Sequence, residues 1–322
     1  MHLIVSGRVE SVWGLVYPVA CGMMLGRHQP MIIHLHHRAT DDVETLKEKF
    51  MLLHFGLIKG IVAITDVEEA CRGVVFRVLI GKVPSKTRTL RLELKDTLAS
   101  TLKQCAPSIL PKNITCLTRL YHNCALGLIS SRLNVPNRDV KNVLIWGNHS
   151  SPQHLDVNHA MVNPLSGEYP VRELINDDVW LNGEFITEFQ KWVDVSNATG
   201  TALDAFPIAK AACNHMLVWV LGTSEIPLIS SVFFFFLTLV LFLREPGFHG
   251  VFSNGSYNVP KDLLFSFLVT FCNGEWTIVQ GHSLDEFSRK KIDLIVEELM
   301  KNGRSTAQVS KLGIEGHLSA KS

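Results

Sequence analysis

The chain has 322 residues, with 31 basic against 30 acidic side chains and a formal charge of +1. That length leaves room for one large domain or two ordinary ones, and the balanced charge argues against a polyanion-binding surface, so nucleic acid is not an expected partner. Seven cysteines, an odd number with no C-x-x-C spacing, fit reduced thiols in a cytoplasmic protein better than a disulfide framework. The opening MHLIVSGRVES lacks the basic and apolar regions of a secretory signal, so the sequons at Asn113, Asn148, Asn197 and Asn254 are expected to stay unmodified.

In chain order, LIVS (3–6) reads as a strand, 12–25 as a mostly apolar helix and MIIHLH (31–36) as a second strand. An amphipathic helix over 41–55 follows, then strands at GIVAI (60–64) and VVFRVLI (74–80). Short apolar runs alternating with helical patterns indicate a β-α-β series and a parallel sheet. His34 and His36 share one face of their strand, but no cysteine or carboxylate set accompanies them, and no metal site is assigned.

From 85 to 112 the text turns polar and basic, with Pro107 and Pro111 as breakers, which puts a domain boundary near 110. Residues 1–110 then form the first domain and 111–322 the second. In the second, 113–134 reads as a helix, VLIW (143–146) as a strand, 177–193 as the start of a helix, and 201–219 as a long helix with Pro207 as a kink or first-turn residue. LLFSFLVTFCNGEWTIVQG predicts a hairpin turning at Asn273-Gly274 in a type I′ turn. Ser283-x-x-Glu286 reads as a capping box that opens an amphipathic helix to about Lys301.

One block departs from ordinary composition. IPLISSVFFFFLTLVLFL (226–243) is 18 uncharged residues, the lower end of a membrane span. Three readings stay open: a translated intron, an apolar extension of the core, and a membrane helix. The third would place two halves of one fold on opposite sides of a bilayer.

The stretch WGNHSSPQHLDVNH (146–159) sets an Asn-His-Ser triplet directly after an apolar strand. On its own such a triplet is a capped turn as readily as a catalytic site. Its neighbours decide the matter. VKNVLIWGNHSSPQHLDVNHA (140–160), TCLTRLYHN (115–123) and the run SYNVPKDLLFSF, EWTIVQG, DEFSRKKIDL (256–294) together resemble cytosolic-type malate dehydrogenase of the lactate/malate dehydrogenase superfamily. The divergence is similar to that of its 1B-type paralogue.

The resemblance implies an α/β protein. A Rossmann-like parallel sheet, lacking a strand and helix because the family's VVGNPAN segment is absent before APSILPK, precedes an α+β substrate domain that carries an insertion near 226–249. It also implies NAD as cofactor, a small dicarboxylate as substrate through interconversion of (S)-malate and oxaloacetate, a homodimer and a cytoplasmic location. His149 takes the place of the family's proton acceptor, a role suited to an imidazole that titrates near neutrality. Tyr121 stands at the position of the aspartate that orients that histidine, and Cys124 at that of an arginine that grips a substrate carboxylate. In VPSKTRTLR, Ser85 replaces one loop arginine and Arg91 matches the other, with Lys86 and Arg88 between them.

Of the family's glycine loop only Gly7 remains, followed by Glu10 and Trp13 where glycines would let a pyrophosphate approach the backbone. His37 falls at the acidic position that holds the adenosine ribose. Two readings follow: an NAD-dependent dehydrogenase of weak or lost activity, and a non-catalytic paralogue serving as a binding or scaffold protein.

Overall fold

The computed structural model describes residues 1–7, 9–36, 48, 55–66, 69, 74–80, 111–147, 153–163, 167–199, 202–223 and 247–301. The expected helix over 41–55 (residue 48 apart), the stretch 81–110 from which the strand and helix are expected to be missing, and the apolar block 226–243 lie outside them. Among the described residues no helix is long and apolar enough to cross a membrane.

The first sheet is built from β1 (His2–Gly7), β2 (Met31–His36), β3 (Ile58–Ile64) and β4 (Phe76–Ile80), all parallel, in the order β3-β2-β1-β4. Leu3, Val5, Met31, Ile33 and Leu35 are buried at every second position. Helix α1 (Val9–Ala20) lays Val12, Leu15, Val16 and Val19 on the sheet at helical spacing. It ends five residues earlier than its composition suggests, because Gly22 and Gly26 adopt positive φ in the turns that follow. At Gly22 a side chain is excluded on two counts, φ of 81° and an added Cβ only 2.9 Å from the Arg27 backbone.

The second half opens with a 3₁₀ turn (Pro111–Asn113) and a short strand, β5 (Cys116–Leu117), before α2 (Arg119–Leu133). The helix expected from 113 therefore starts at 119. The reason is tertiary, since Cys116 and Leu117 pair with Gly250 and His249. Small strands β6 (Val140–Lys141), β7 (Leu144–Trp146), β8 (His154–Asp156), β9 (Met161–Val162) and β10 (Tyr169–Pro170) follow, then α3 (Val171–Ile175). A π-helical turn (Trp180–Glu184), started by the Asp177 Oδ1 that accepts the Trp180 N–H, leads into α4 (Phe185–Thr199).

Helix α5 (Ala202–Leu221) keeps Pro207 inside it and continues past it. Its Ala209, Ala212, Cys213 and Met216 pack into the core of the first sheet beside α1, so a helix from the second half of the chain closes the first core. Small side chains on that face let the two helices approach.

Strands β11 (Gly247–Phe252), β12 (Leu264–Cys272) and β13 (Glu275–Ile278) form an antiparallel sheet in the order β13-β12-β11-β5. The β12–β13 turn has φ of 52° at Asn273 and 79° at Gly274, as the type I′ reading requires. The last helix, α6 (286–301), corrects the capping assignment. Asp285, not Ser283, is its cap, with Oδ1 accepting the Ser288 N–H at 2.7 Å, while the Ser283 carbonyl is taken by His159 Nε2 at 3.0 Å.

Candidate active site

Gly7 closes β1 in register with Ile80 of β4, and α1 begins at Val9, so the chain turns from strand to helix within two residues. With β2 and β3 on one side of β1 and β4 on the other, the sheet changes direction there. In a doubly wound sheet that is the crevice beyond the carboxyl ends of the strands where a dinucleotide lies. Topology and Gly7 fit NAD. Glu10 falls in the first turn of α1. His37 lies outside the described residues, as do Arg91 and His149.

Helix α2 brings Tyr121 and Cys124 onto one face, three residues apart. Tyr121 is buried, 3% exposed, with its ring edge-on to Phe189 at 6.1 Å. A phenol carries no charge near neutrality. Cys124 is half-buried, and desolvation pushes its thiol up to about 12. Neither position therefore offers the carboxylate or guanidinium that the family pattern places there.

The segment holding His149 leaves β7 at Gly147 (φ 116°) and rejoins the sheet at β8, where His154 pairs with Trp146. Both ends of this hairpin are tied down. Gly147 O accepts the Ser266 N–H of β12 at 2.5 Å. On the other side His154 Nε2 meets Ser288 Oγ at 2.9 Å, and buried Asp156 accepts from Trp146 Nε1 at 3.3 Å and from the Asn158 N–H at 2.9 Å.

Beside α2 lies a pair of buried histidines that sequence reasoning misses, with the half-buried His122 of α2 near them. His215 of α5 and His249 of β11 have ring centroids 3.8 Å apart, with His249 Nδ1 3.1 Å from His215 Nε2, and Thr115 Oγ1 lies 2.7 Å from that same nitrogen. His122 packs against Phe248 at 5.4 Å. Burial, reinforced by the Arg119 guanidinium, lowers His122 and His215 to about 3 each. Burial, then His215, then Arg119 hold His249 well below the ordinary histidine range. Thr115, His215 and His249 are separated by 100 and 34 residues in the chain, so no local spacing announces them. Of the HLHH histidines, His34 places Nε2 2.8 Å from His2 Nδ1, and its pKa is lowered by burial and by His2.

Comparison with known proteins gives a consistent result. The family described as lactate/malate dehydrogenase, alpha/beta C-terminal domain, matches residues 118–309. Cytoplasmic malate dehydrogenase of Medicago sativa is 43% identical over 333 residues, covering 93% of this chain and 95% of that one. Malate dehydrogenase 1, cytoplasmic, of Arabidopsis thaliana is 41% identical with the same coverage. Among solved structures, malate dehydrogenase from Naegleria fowleri superposes with a TM-score of 0.78 at 25% identity, over 96% of this chain and 98% of that one. A lactate dehydrogenase of Trichomonas vaginalis, in complex with NADH and oxamate, shares the fold with a TM-score of 0.80 at 19% identity, over 95% and 98% of the two chains.

Proposed function

Because the chain belongs to the lactate/malate dehydrogenase family, we propose that it is an NAD-dependent malate dehydrogenase of much reduced turnover, interconverting (S)-malate and oxaloacetate in the cytoplasm. The observation that carries the reduction is the neutral pair on α2: a core phenol at Tyr121 and a thiol at Cys124 whose pKa is about 12. NAD supplies the hydride acceptor. His149 takes the hydroxyl proton of malate, as in the family pattern. Tyr121 provides no carboxylate to offset the imidazolium that then forms, and Cys124 provides no fork of donors for a carboxylate. Arg91 is left as the matching substrate-binding cation. Removing a desolvated charge partner costs about 2–5 kcal/mol, which accounts for slow turnover without requiring a different reaction.

A homodimer suits the family, and the exposed rings of Tyr17 on α1 and Phe206 on α5, two helices that pack together, give such an assembly apolar surface. A scaffold role is the second reading, favoured by the seating of Tyr121 in the core against Phe189.

The test is to titrate NADH by fluorescence and then follow oxaloacetate reduction with His149→Ala as control. Turnover that depends on His149 supports the dehydrogenase, whereas absence of both binding and turnover supports the scaffold. Tyr121→Asp combined with Cys124→Arg is expected to raise the rate, provided the core tolerates the charge.

A further inference from the structure

Four segments bring basic side chains together in the interior. Thr115 precedes β5, Arg119 opens α2, His215 lies on α5 and His249 on β11. Arg119 is 9% exposed, His215 5% and His249 0%. The two imidazoles touch through their inner nitrogens, His249 Nδ1 and His215 Nε2, and Thr115 Oγ1 adds a second contact to the latter. Phe271 packs edge-on to His249 at 4.6 Å and Trp219 edge-on to His215 at 6.3 Å.

The outer nitrogens, His215 Nδ1 and His249 Nε2, are buried and have no hydrogen-bond partner among the described residues. Buried polar atoms in that state are rare in native interiors, and a bound ion or water commonly accounts for them. Tautomers narrow the choice. Both rings are neutral, so when one inner nitrogen donates to the other, one outer nitrogen carries a hydrogen and the other a bare lone pair. One added proton makes both outer nitrogens donors.

The charge acting on the pair has one sign. The Arg119 guanidinium opposes protonation of both rings, and no carboxylate is among the groups that shift either. A positive field in a desolvated site favours an anion. It disfavours a metal ion, and the described residues hold no group of three ligating side chains. The packing favours a compact occupant, since a Cβ added at Gly250, next to His249, would lie 2.8 Å from Cys116 Cβ.

We propose that His215 and His249, beside Arg119, form an internal binding site for a small monovalent anion of halide size, taken up together with one proton. The proton balances the charge of the anion and turns both outer nitrogens into donors to it. The bound ion then ties α2, α5 and β11 together. This site is independent of the dehydrogenase reading, because neither His149 nor turnover enters it.

Bromide is the probe. Crystals of the protein grown in sodium bromide are expected to show an anomalous-scattering peak at hydrogen-bond distance from His215 Nδ1 and His249 Nε2. In solution, the urea midpoint should rise with sodium bromide relative to sodium methanesulfonate at equal ionic strength. The affinity obtained from that rise should strengthen by up to about tenfold for each pH unit lowered, as uptake of one proton requires. His249→Leu, which keeps the bulk and removes both nitrogens, should lose the peak and the bromide effect, whereas exposed His159→Ala should keep both. Bromide peaks confined to the surface, a water without anomalous signal between the two nitrogens, or equal bromide stabilisation of the unaltered and His249→Leu proteins overturns the proposal. So does a bromide affinity that stays constant with pH. If His249→Leu does not fold, the crystals and the pH dependence of the unaltered protein decide alone.

Discussion

The cluster of His122, His215 and His249 makes acid sensitivity a consequence of the fold. His215 is only 5% exposed, and both His122 and His215 are lowered from 6.5 to about 3. In the unfolded chain these rings take up a proton as the pH falls through 6.5, while in the folded chain they stay neutral until about 3. The unfolded state therefore binds more protons throughout that window, and stability is lost as pH falls within it. Each ring contributes a slope of about 1.4 kcal/mol per pH unit well below 6.5. Together the two remove about 2.5 kcal/mol between about pH 7 and about pH 5.5. His249 pulls in the same direction.

Against a total stability of about 5–15 kcal/mol, that loss is visible in urea unfolding followed by tryptophan fluorescence across this range. His215→Gln places an amide nitrogen near the former Nε2 and removes one titrating ring. Whatever it costs at neutral pH, it should remove about 1.3 kcal/mol of the pH-dependent loss between about pH 7 and about pH 5.5. A variant with the same slope as the unaltered protein, or a stability independent of pH over this window, would refute the assignment of His215 as buried and neutral.

Two further outcomes test other parts of the structure. Gly250→Ala puts a Cβ 2.8 Å from Cys116 Cβ and 3.3 Å from its carbonyl, so the β5–β11 pairing must shift; a loss of about 1–3 kcal/mol, the usual cost of overpacking, should appear in the urea midpoint. Cys124, with its thiol pushed up to about 12, should be alkylated by iodoacetamide near neutral pH far more slowly than exposed Cys21 and Cys272. Modification of Cys124 at a comparable rate by peptide mapping would contradict its burial.

Those parts of the fold that depend on local pattern were legible in the sequence. The strand at 31–36 and the type I′ turn at Asn273-Gly274 follow from β-branched runs and from residues that tolerate positive φ. The boundaries that moved did so for reasons outside any local window. Helix α2 begins six residues late because Cys116 and Leu117 are claimed by β11, more than a hundred residues away. Helix α6 is capped by Asp285 because its carboxylate reaches the Ser288 N–H, whereas Ser283 is drawn toward His159.

The same division applies to the site, and it bears on how far this family member has drifted. His149, Tyr121 and Cys124 are readable because they stand in motifs. What surrounds them is not, because Ser266, Thr118, His154 and Ser288 act through bonds between distant segments. The hairpin is bonded at both ends, and a buried hydroxyl pair joins β12 to the start of α2. Stability alone does not demand that pair, since a buried hydrogen bond contributes only about 0.5–1.5 kcal/mol net and an apolar replacement of both partners is nearly neutral. Tyr121 and Cys124 leave that face of α2 without a charged group, so the rate of oxaloacetate reduction decides between the slowed dehydrogenase proposed above and a scaffold.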